Sequence, residues 1–403
     1  MSNIVLLSSD YLGVPSANGV CARNLVNELR RMGHGVDVVC FDQQEEIDDE
    51  PDGHVYTLAK PQLIERNTKQ LMLQTFRRVH RGILGGKNPL VNDALAQEYC
   101  QKLYEISSHK RIDAVVAMFF PAESAQALYQ FKKAYPRVKT FIFELDSFGD
   151  GAGRSRLFAL YNRSYEQWLS LVYHSIDHVF IMHSHEDYWK RVFARRFGDK
   201  LTIADIPVLL EKPKPVFDSS ARVSMIYSGL IERDYRSPSY LLAVLGELQK
   251  SVDFTFSFYS KGDCEDEIHR AKQDIPGLSQ MGYVPLQVLE KAIHKADYLV
   301  SIGNSFSRSV PSKMIAYFAY CKPIIHFSSQ EEDVCKEYLK RYPLALVIDQ
   351  TMPIEEASAL IERFIIETRG KTLEFESVRQ TFQMNDPLHS ASLIASLTEG
   401  TTG

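Results

Sequence analysis

The stretch Val310 to Phe327, VPSKMIAYFAYCKPIIHF, holds the residues whose types and spacing speak most directly of chemistry. Pro311, Ser312 and Lys313 open a helix-like run, Met314 to Tyr320, which Cys321-Lys322-Pro323 joins to an apolar strand-like run, Ile324 to Phe327. A lysine in the first turn of a helix is mildly unfavourable, because the aligned peptide dipoles already make that end positive. A nearby anion removes the conflict. Proline suits a helix start, a serine in the first turn offers a hydroxyl, and the unpaired N–H groups there favour negative charge. The combination predicts a phosphate or diphosphate ligand. Taken alone, Pro-Ser-Lys also fits a surface cation beside a capping serine.

Its weight comes from other segments of the same half that end strands in the same manner. YSGLIERDYRSP (227–238) follows a strand and precedes a helix, with Gly229 at the turn and Arg233 and Arg236 in the loop. FYSKGD (258–263) is a further strand end, carrying Lys261. MGYVP (281–285), with Gly282, Tyr283 and Val284, is a turn before a helix over 286–296. ADYLVSIGN (296–304) ends a strand at Gly303-Asn304, with Ser305 next. In a doubly wound sheet such ends gather at one crevice.

The elements that must position these residues recur along the 403-residue chain, a length that predicts two domains. Strands are expected at 4–8, 36–41, 113–120, 139–145 and 178–183, then at 223–229, 254–260, 298–303, 323–327 and 345–348. Helical patterns alternate with them, among them Val20 to Met32 ending at Gly33, 91–108, 121–135, 155–175 and 185–196. Continuous apolar strands between helices predict parallel sheets covered on both faces. The Pro- and Lys-bearing stretch 207–222 is the linker candidate, so the expected fold is α/β: Rossmann-like doubly wound domains at 1–208 and 209–384, facing a cleft.

Composition excludes several classes. At 45% hydrophobic and 24% charged residues the chain reads as a soluble globular protein. A net charge of -5 gives no footprint for nucleic acid. Six dispersed cysteines form no Cys-x-x-Cys pair, and with no signal peptide or membrane-length apolar run a cytoplasmic location is expected. The segment 42–54 is acidic and reads as solvated surface. The segment 61–87 carries Arg66, Lys69, Arg77, Arg78, Arg81 and Lys87 among apolar residues, which fits either an anionic membrane surface or an ordinary packed helix. His183 and His185 beside Glu186 and Asp187 fit a metal cluster or, more simply, a helix start. Glu144 and Asp146 end a strand at the expected crevice; either could act as a base or position a hydroxyl, or could pair with Arg154 or Arg156. His326, on an apolar strand, reads as a hydrogen-bonded core histidine.

The ordered set resembles the GT-B-fold glycosyltransferases, especially the large retaining family with many bacterial polysaccharide enzymes. The likeness runs over essentially the whole chain. PSKMIAYFAYCKPII is similar to that family's PSK-x-x-E-Y-x-x-x-GKPI segment, and VPSANGVCARNLVNELRRMGHGVDVV (14–39) to its first loop, helix and strand. FELDSF (143–148) and the Glu166 to Asp177 stretch add to the likeness. The resemblance implies a nucleoside-diphosphate sugar, UDP-linked as the first choice, as donor and a glycan or lipid-linked glycan as acceptor, with no metal or other cofactor. It implies that Lys313 and Arg236 (or Arg233) meet the diphosphate, that Gly282-Tyr283-Val284 meets the base, and that Gly19 lies under the phosphates. Lys261, Gly229, Asn304, Ser305, Pro311 and Ser312 complete the expected donor site, with Asp146 as a catalytic candidate. It also implies that the last helix, 386–397, packs back on the first domain.

One departure stands out. The family's paired glutamates would fall near Arg308 and at Ala316, and neither position is acidic here. The second normally binds the donor ribose and the first touches the sugar. A GT-B-like subunit that binds a nucleotide-sugar without turning it over, or a GT-B-fold epimerase, are the readings this departure opens.

Overall fold

The computed structural model describes residues 1–11, 16–41, 53–59, 91–119, 121–145, 156–193, 197–215, 217, 222–305 and 310–400, with only the backbone of 156–164 and 192. The basic segment 61–87, Asp146, Arg154 and Arg308 lie outside them. The chain divides into two compact units, Met1–Val208 with Met384–Gly403, and Leu209–Gln383.

The first unit is a seven-stranded parallel sheet of β1 (Asn3–Leu7), β2 (Gly35–Phe41), β3 (Val55–Leu58), β4 (Ala114–Met118), β5 (Lys139–Glu144), β6 (His178–Ile181) and β7 (Leu201–Ile203). Their order is β3-β2-β1-β4-β5-β6-β7. Its described helices are α1 (Ala17–Arg31), α2 (Asp93–His109), α3 (Ala122–Ala134), α4 (Arg156–Ser175) and α5 (Glu186–Val192). The central strands are buried on both faces, Ala114 to Met118 without a break, which is why they read as unbroken apolar runs. Helix α1 starts where Ser16 accepts a hydrogen bond from the Gly19 N–H, 3.2 Å.

The second unit is a six-stranded parallel sheet of β8 (Val223–Ile231), β9 (Phe254–Gly262), β10 (Leu278–Gln280), β11 (Tyr298–Ile302), β12 (Ile324–Ser328) and β13 (Ala345–Asp349). The order is β10-β9-β8-β11-β12-β13. It carries α6 (Ser239–Leu248), α7 (Glu265–Asp274), α8 (Leu286–Lys295), α9 (Ser312–Phe318), α10 (Cys335–Leu339), α11 (Ile354–Thr368) and α12 (Phe375–Thr381). The last helix, α13 (Pro387–Glu399), belongs to the first unit and packs on α1. Asp386 caps it through the Leu388 N–H at 2.8 Å, and Asn385 Nδ2 donates to the Ile206 carbonyl at 3.2 Å. All six cysteines are buried and none forms a disulfide. Among the described residues no helix is long and apolar enough to cross a membrane.

One feature of the second sheet sets the shape of its ligand edge. β8 and β9 stay paired to Ile231 and Gly262, whereas the last pairing of β8 with β11 is at Tyr227. The ribbon 228–231 with 259–262 therefore overhangs the sheet. The Ser228 N–H, past its strand partner, donates instead to Tyr317 Oη of α9 at 3.0 Å, and the Ser228 hydroxyl joins the same phenol at 2.9 Å. A buried N–H without a partner would cost about 1–3 kcal/mol, so this bond fastens α9 to the ribbon. At the tip, Gly262 has φ +146° and a Cβ there would lie 1.6 Å from the Ile231 carbonyl oxygen. No side chain fits.

The buried Lys322 makes a second fastening. Its Nζ donates to the carbonyls of His294 and Ala296 at 2.5 Å each, capping the C-terminus of α8, where a cation complements the dipole. Burial pushes its ammonium down to about 8.

Gly262→Ala is expected to lower stability by about 3 kcal/mol, because the ribbon must open to admit the methyl group. Gly246→Ala, inside α6 with open space around the new Cβ, is expected to raise it by about 0.5–1 kcal/mol. Urea denaturation of the two variants checks both signs.

Candidate functional site

In the second unit the strand order reverses direction between β8 and β11, and the loops after them part there. The loop after β8 folds on itself. The Tyr235 N–H donates to the Glu232 carbonyl at 3.1 Å, Glu232 and Arg236 form an antiparallel bridge, and Tyr227 Oη donates to the Leu230 carbonyl at 2.9 Å. Arg236 is thereby turned toward the end of β11. Its Nε donates to Asn304 Oδ1 at 3.2 Å, Nη2 donates to the same oxygen, and Nη1 reaches the Leu230 carbonyl at 3.3 Å. Ser305 ties the two loops together, its N–H and hydroxyl both donating to the Tyr235 carbonyl at 2.9 and 3.0 Å.

Two lysines complete a cationic group with Arg236. Lys261 sits on the overhanging end of β9, its Nζ 5.1 Å from the centroid of the exposed Tyr283 ring. Lys313 lies in the first turn of α9. The residue as a whole is exposed, with its ammonium partly shielded. Burial, then the charges of Arg236 and Lys261, push its ammonium down to about 8. Among the described residues no carboxylate acts on it and none of the three cations forms an ion pair. Three cations held together without an acid make a site for a polyanion.

The other expected site residues fall into place around or away from this group. Gly229 is on the overhang, Gly282 turns the chain at φ +67° before Tyr283, and Val284 is half-buried beside it. Arg233 is not part of the group: its side chain is exposed and its N–H donates to Asp263 Oδ1 at 2.8 Å. Pro311 occupies the N-cap of α9 without a side-chain cap bond, and Ser312 is the first helical residue rather than the cap. With only seven residues in α9, the side-chain cations and not the helix dipole dominate the field. Ala316 is half-buried on α9. Gly19 belongs to the other unit, buried in the first turn of α1.

Also in the first unit, Glu144 is buried at the end of β5 and accepts a hydrogen bond from Tyr173 Oη at 2.9 Å. His183 pairs with Glu186 at 3.3 Å and Glu186 with Lys190 at 2.5 Å, which is a helix start. Among the described residues the metal-capable cluster is instead His326, Asp333 and Cys335 in the second unit, with ligand atoms within 4.8 Å of one another. Sequence reading missed Tyr317 and Lys322 as fasteners of the site, because their partners are far away in the chain and leave no spacing signal.

No family model and no curated protein matches the sequence. Solved structures do match over the whole length. The sucrose-phosphate synthase of Thermosynechococcus elongatus aligns with a TM-score of 0.67 at 13% identity over 99% of both chains. The UDP-forming α,α-trehalose-phosphate synthase of Burkholderia vietnamiensis gives 0.61 at 9% over 99% of both. The lipopolysaccharide outer core galactosyltransferase WaaB gives 0.57 at 11%, covering 99% of this chain and 100% of that one. With two parallel-sheet α/β units in series, the chain shares the GT-B fold of these proteins.

The lowered ammonium of Lys313 has a consequence for stability. Its value in the folded protein, about 8, lies below the ordinary 10.5, so the native state disfavours the charged form. The penalty is fully present below pH 8 and fades as pH rises to about 10.5. Lys313→Met is therefore expected to raise the Tm modestly at pH 7, solvent screening keeping the gain small, and to leave it unchanged above pH 10.5. Thermal scans of both proteins across this range measure it.

Proposed function

We propose that this protein is a glycosyltransferase that moves a sugar from a nucleoside-diphosphate sugar, with UDP the first donor to test, to a glycan or lipid-linked glycan acceptor. The observation that carries the reading is the acid-free group of Arg236, Lys261 and Lys313 at the ligand edge of a GT-B unit. Breaking the bond between sugar and diphosphate leaves negative charge on the departing phosphate. Preorganised cations stabilise that charge most as it develops, which lowers the barrier. Neither a protein nucleophile nor a metal is then required. In a retaining reaction the departing phosphate itself takes the proton of the acceptor hydroxyl. Tyr283, exposed beside Lys261, offers a ring near the expected base, and Gly282 and Val284 offer backbone groups. The resemblance keeps Gly19 for the donor phosphates and the nearby acceptor and Asp146 as the catalytic candidate, and segment 61–87 is assigned to contact with an anionic membrane that would hold a lipid-linked acceptor.

A second reading has one specific observation in its favour. Ala316 and Arg308 stand where the resembled family has carboxylates for the ribose and the sugar. A subunit that holds a nucleotide-sugar for a partner transferase needs the cations but not those acids.

Titration calorimetry with UDP is expected to give saturable binding, weakened at least tenfold by Arg236→Ala or Lys313→Ala. Unchanged affinity in both would remove these residues from the phosphate site. Because the anion binds the protonated form of Lys313, affinity should fall as pH rises above about 8. Incubation with radiolabelled nucleotide-sugars and a membrane extract separates the two readings. Donor consumption supports the transferase, and binding of a donor that is never consumed supports the partner subunit.

A further inference from the structure

Behind Asn304 lies a buried network that the proposed reaction does not use. His326 on β12 is fully buried, and its Nε2 lies 2.9 Å from Asp333 Oδ2. Asp333 Oδ1 accepts the Cys335 N–H at 2.9 Å. Burial alone would raise the Asp333 carboxyl; the hydrogen bond from His326, with that of the Cys335 amide, outweighs it and holds the group below its ordinary value. Among the described residues His326 Nδ1 has no partner. The tautomer that donates from Nε2 leaves a lone pair there, the cheaper orphan, and so fixes the direction of the bond.

These residues could be taken for a metal site, but three ligands fall short of a closed tetrahedral zinc shell. Both oxygens of Asp333 are engaged, and burial, with the adjacent Asp333 charge, pushes the Cys335 thiol well up, keeping it protonated. The cluster is a hydrogen-bond network. What it touches is informative. A Cβ on Gly303 would lie 2.4 Å from Asp333 Oδ2 and 3.3 Å from His326 Nε2, so the main chain runs flush against the pair. Gly303 leads directly to Asn304, whose carbonyl accepts from Ser329 Oγ and Gln330 Nε2, both 2.9 Å, and whose side chain accepts from Arg236. Arg236 is close enough for its charge to act on Cys335.

We infer that Asp333, held by His326, is a positioning residue for Arg236: the pair fixes the 303–304 turn, and through Asn304 it aims the guanidinium at the bound phosphate. The inference rests on the phosphate reading of the Arg236, Lys261 and Lys313 group. It carries a sign that simple electrostatics does not. Removing a negative charge behind an anion site should tighten anion binding by Coulomb attraction alone. Loss of a positioning residue should weaken it.

The test measures inorganic pyrophosphate and UDP binding by calorimetry in the full-length protein and in Asp333→Asn, Arg236→Ala and the double variant. Expected is a tenfold loss for Asp333→Asn in the parent and less than twofold in the Arg236→Ala background, because the effect passes through the arginine. The Arg236 Nε–H resonance should shift in Asp333→Asn. His326→Gln, whose amide can still donate to Asp333, should stay within about threefold of the parent, while His326→Leu should match Asp333→Asn and stands in for it if that variant does not fold. Tighter or unchanged binding, or equal losses in both backgrounds, would overturn the positioning role while leaving the phosphate site intact. No binding of either probe by the parent would remove the phosphate reading and this inference together. Cobalt(II) uptake with a thiolate-to-metal absorption band lost in Cys335→Ser would overturn the hydrogen-bond assignment.

Discussion

Mutual repulsion among Arg236, Lys261 and Lys313 is the constraint around which the second unit is built. Two unit charges about 8 Å apart in a medium of effective dielectric about 20 repel by about 2 kcal/mol. Lys261 and Lys313 reach water, which screens part of that repulsion; what stays fixed is the backbone that carries them. Here each cation is anchored to something that cannot easily move. Lys261 rides on a ribbon whose tip admits no side chain at Gly262. Lys313 sits on a helix pinned to the same ribbon by the Tyr317 phenol. Arg236 is clamped between the Leu230 carbonyl and Asn304. The overhang of β8 and β9 past β11 is thus the frame that gathers the positive charge, and the apolar core of the unit lies under its sheet.

Much of this architecture was legible in the residues. Buried central strands such as Ala114–Met118 and Ile324–Ser328 read as continuous apolar runs because both faces are covered. The edge strands Val55–Leu58, Leu201–Ile203 and Leu278–Gln280 did not, being short and largely half-exposed, so neither length nor pattern marks them. Of the helix expected over 185–196, the described part is Glu186–Val192, preceded by a 3-10 turn at His183–His185, and 194–196 lie outside the described residues. At the site, the types and order of Arg236, Lys261 and Lys313 could be read, since each follows a strand end. The choice between Arg236 and Arg233 could not: it depends on a hairpin-like closure at Glu232 that carries no periodic signature. Nor could the pairing of His326 with Asp333, which joins a strand to the loop beyond it.

The departures from the resembled pattern cluster on one element. Ala316 on α9 replaces an acid, and Cys321, just past that helix, stands where the pattern has glycine. Cys321 is the positive-φ non-glycine among the described residues, at +56°, a conformation that costs about 1–2 kcal/mol outside glycine. The next residue, Lys322, is the buried cap of α8. The segment forms the same strand–helix–strand arrangement while differing from the resembled pattern at the positions linked there to turn geometry and ribose contact. The cations around it match the pattern, so under the proposed function phosphate recognition would not depend on an acid at position 316.

The buried thiols have a use of their own. Cys21, Cys40 and Cys100 lie in the first unit and Cys264, Cys321 and Cys335 in the second. None forms a disulfide and all are buried, so each can react with a thiol reagent only when its surroundings open. The molecule therefore carries its own set of opening reporters, balanced between the units. The time course of their modification under native conditions reads how independently the two halves breathe.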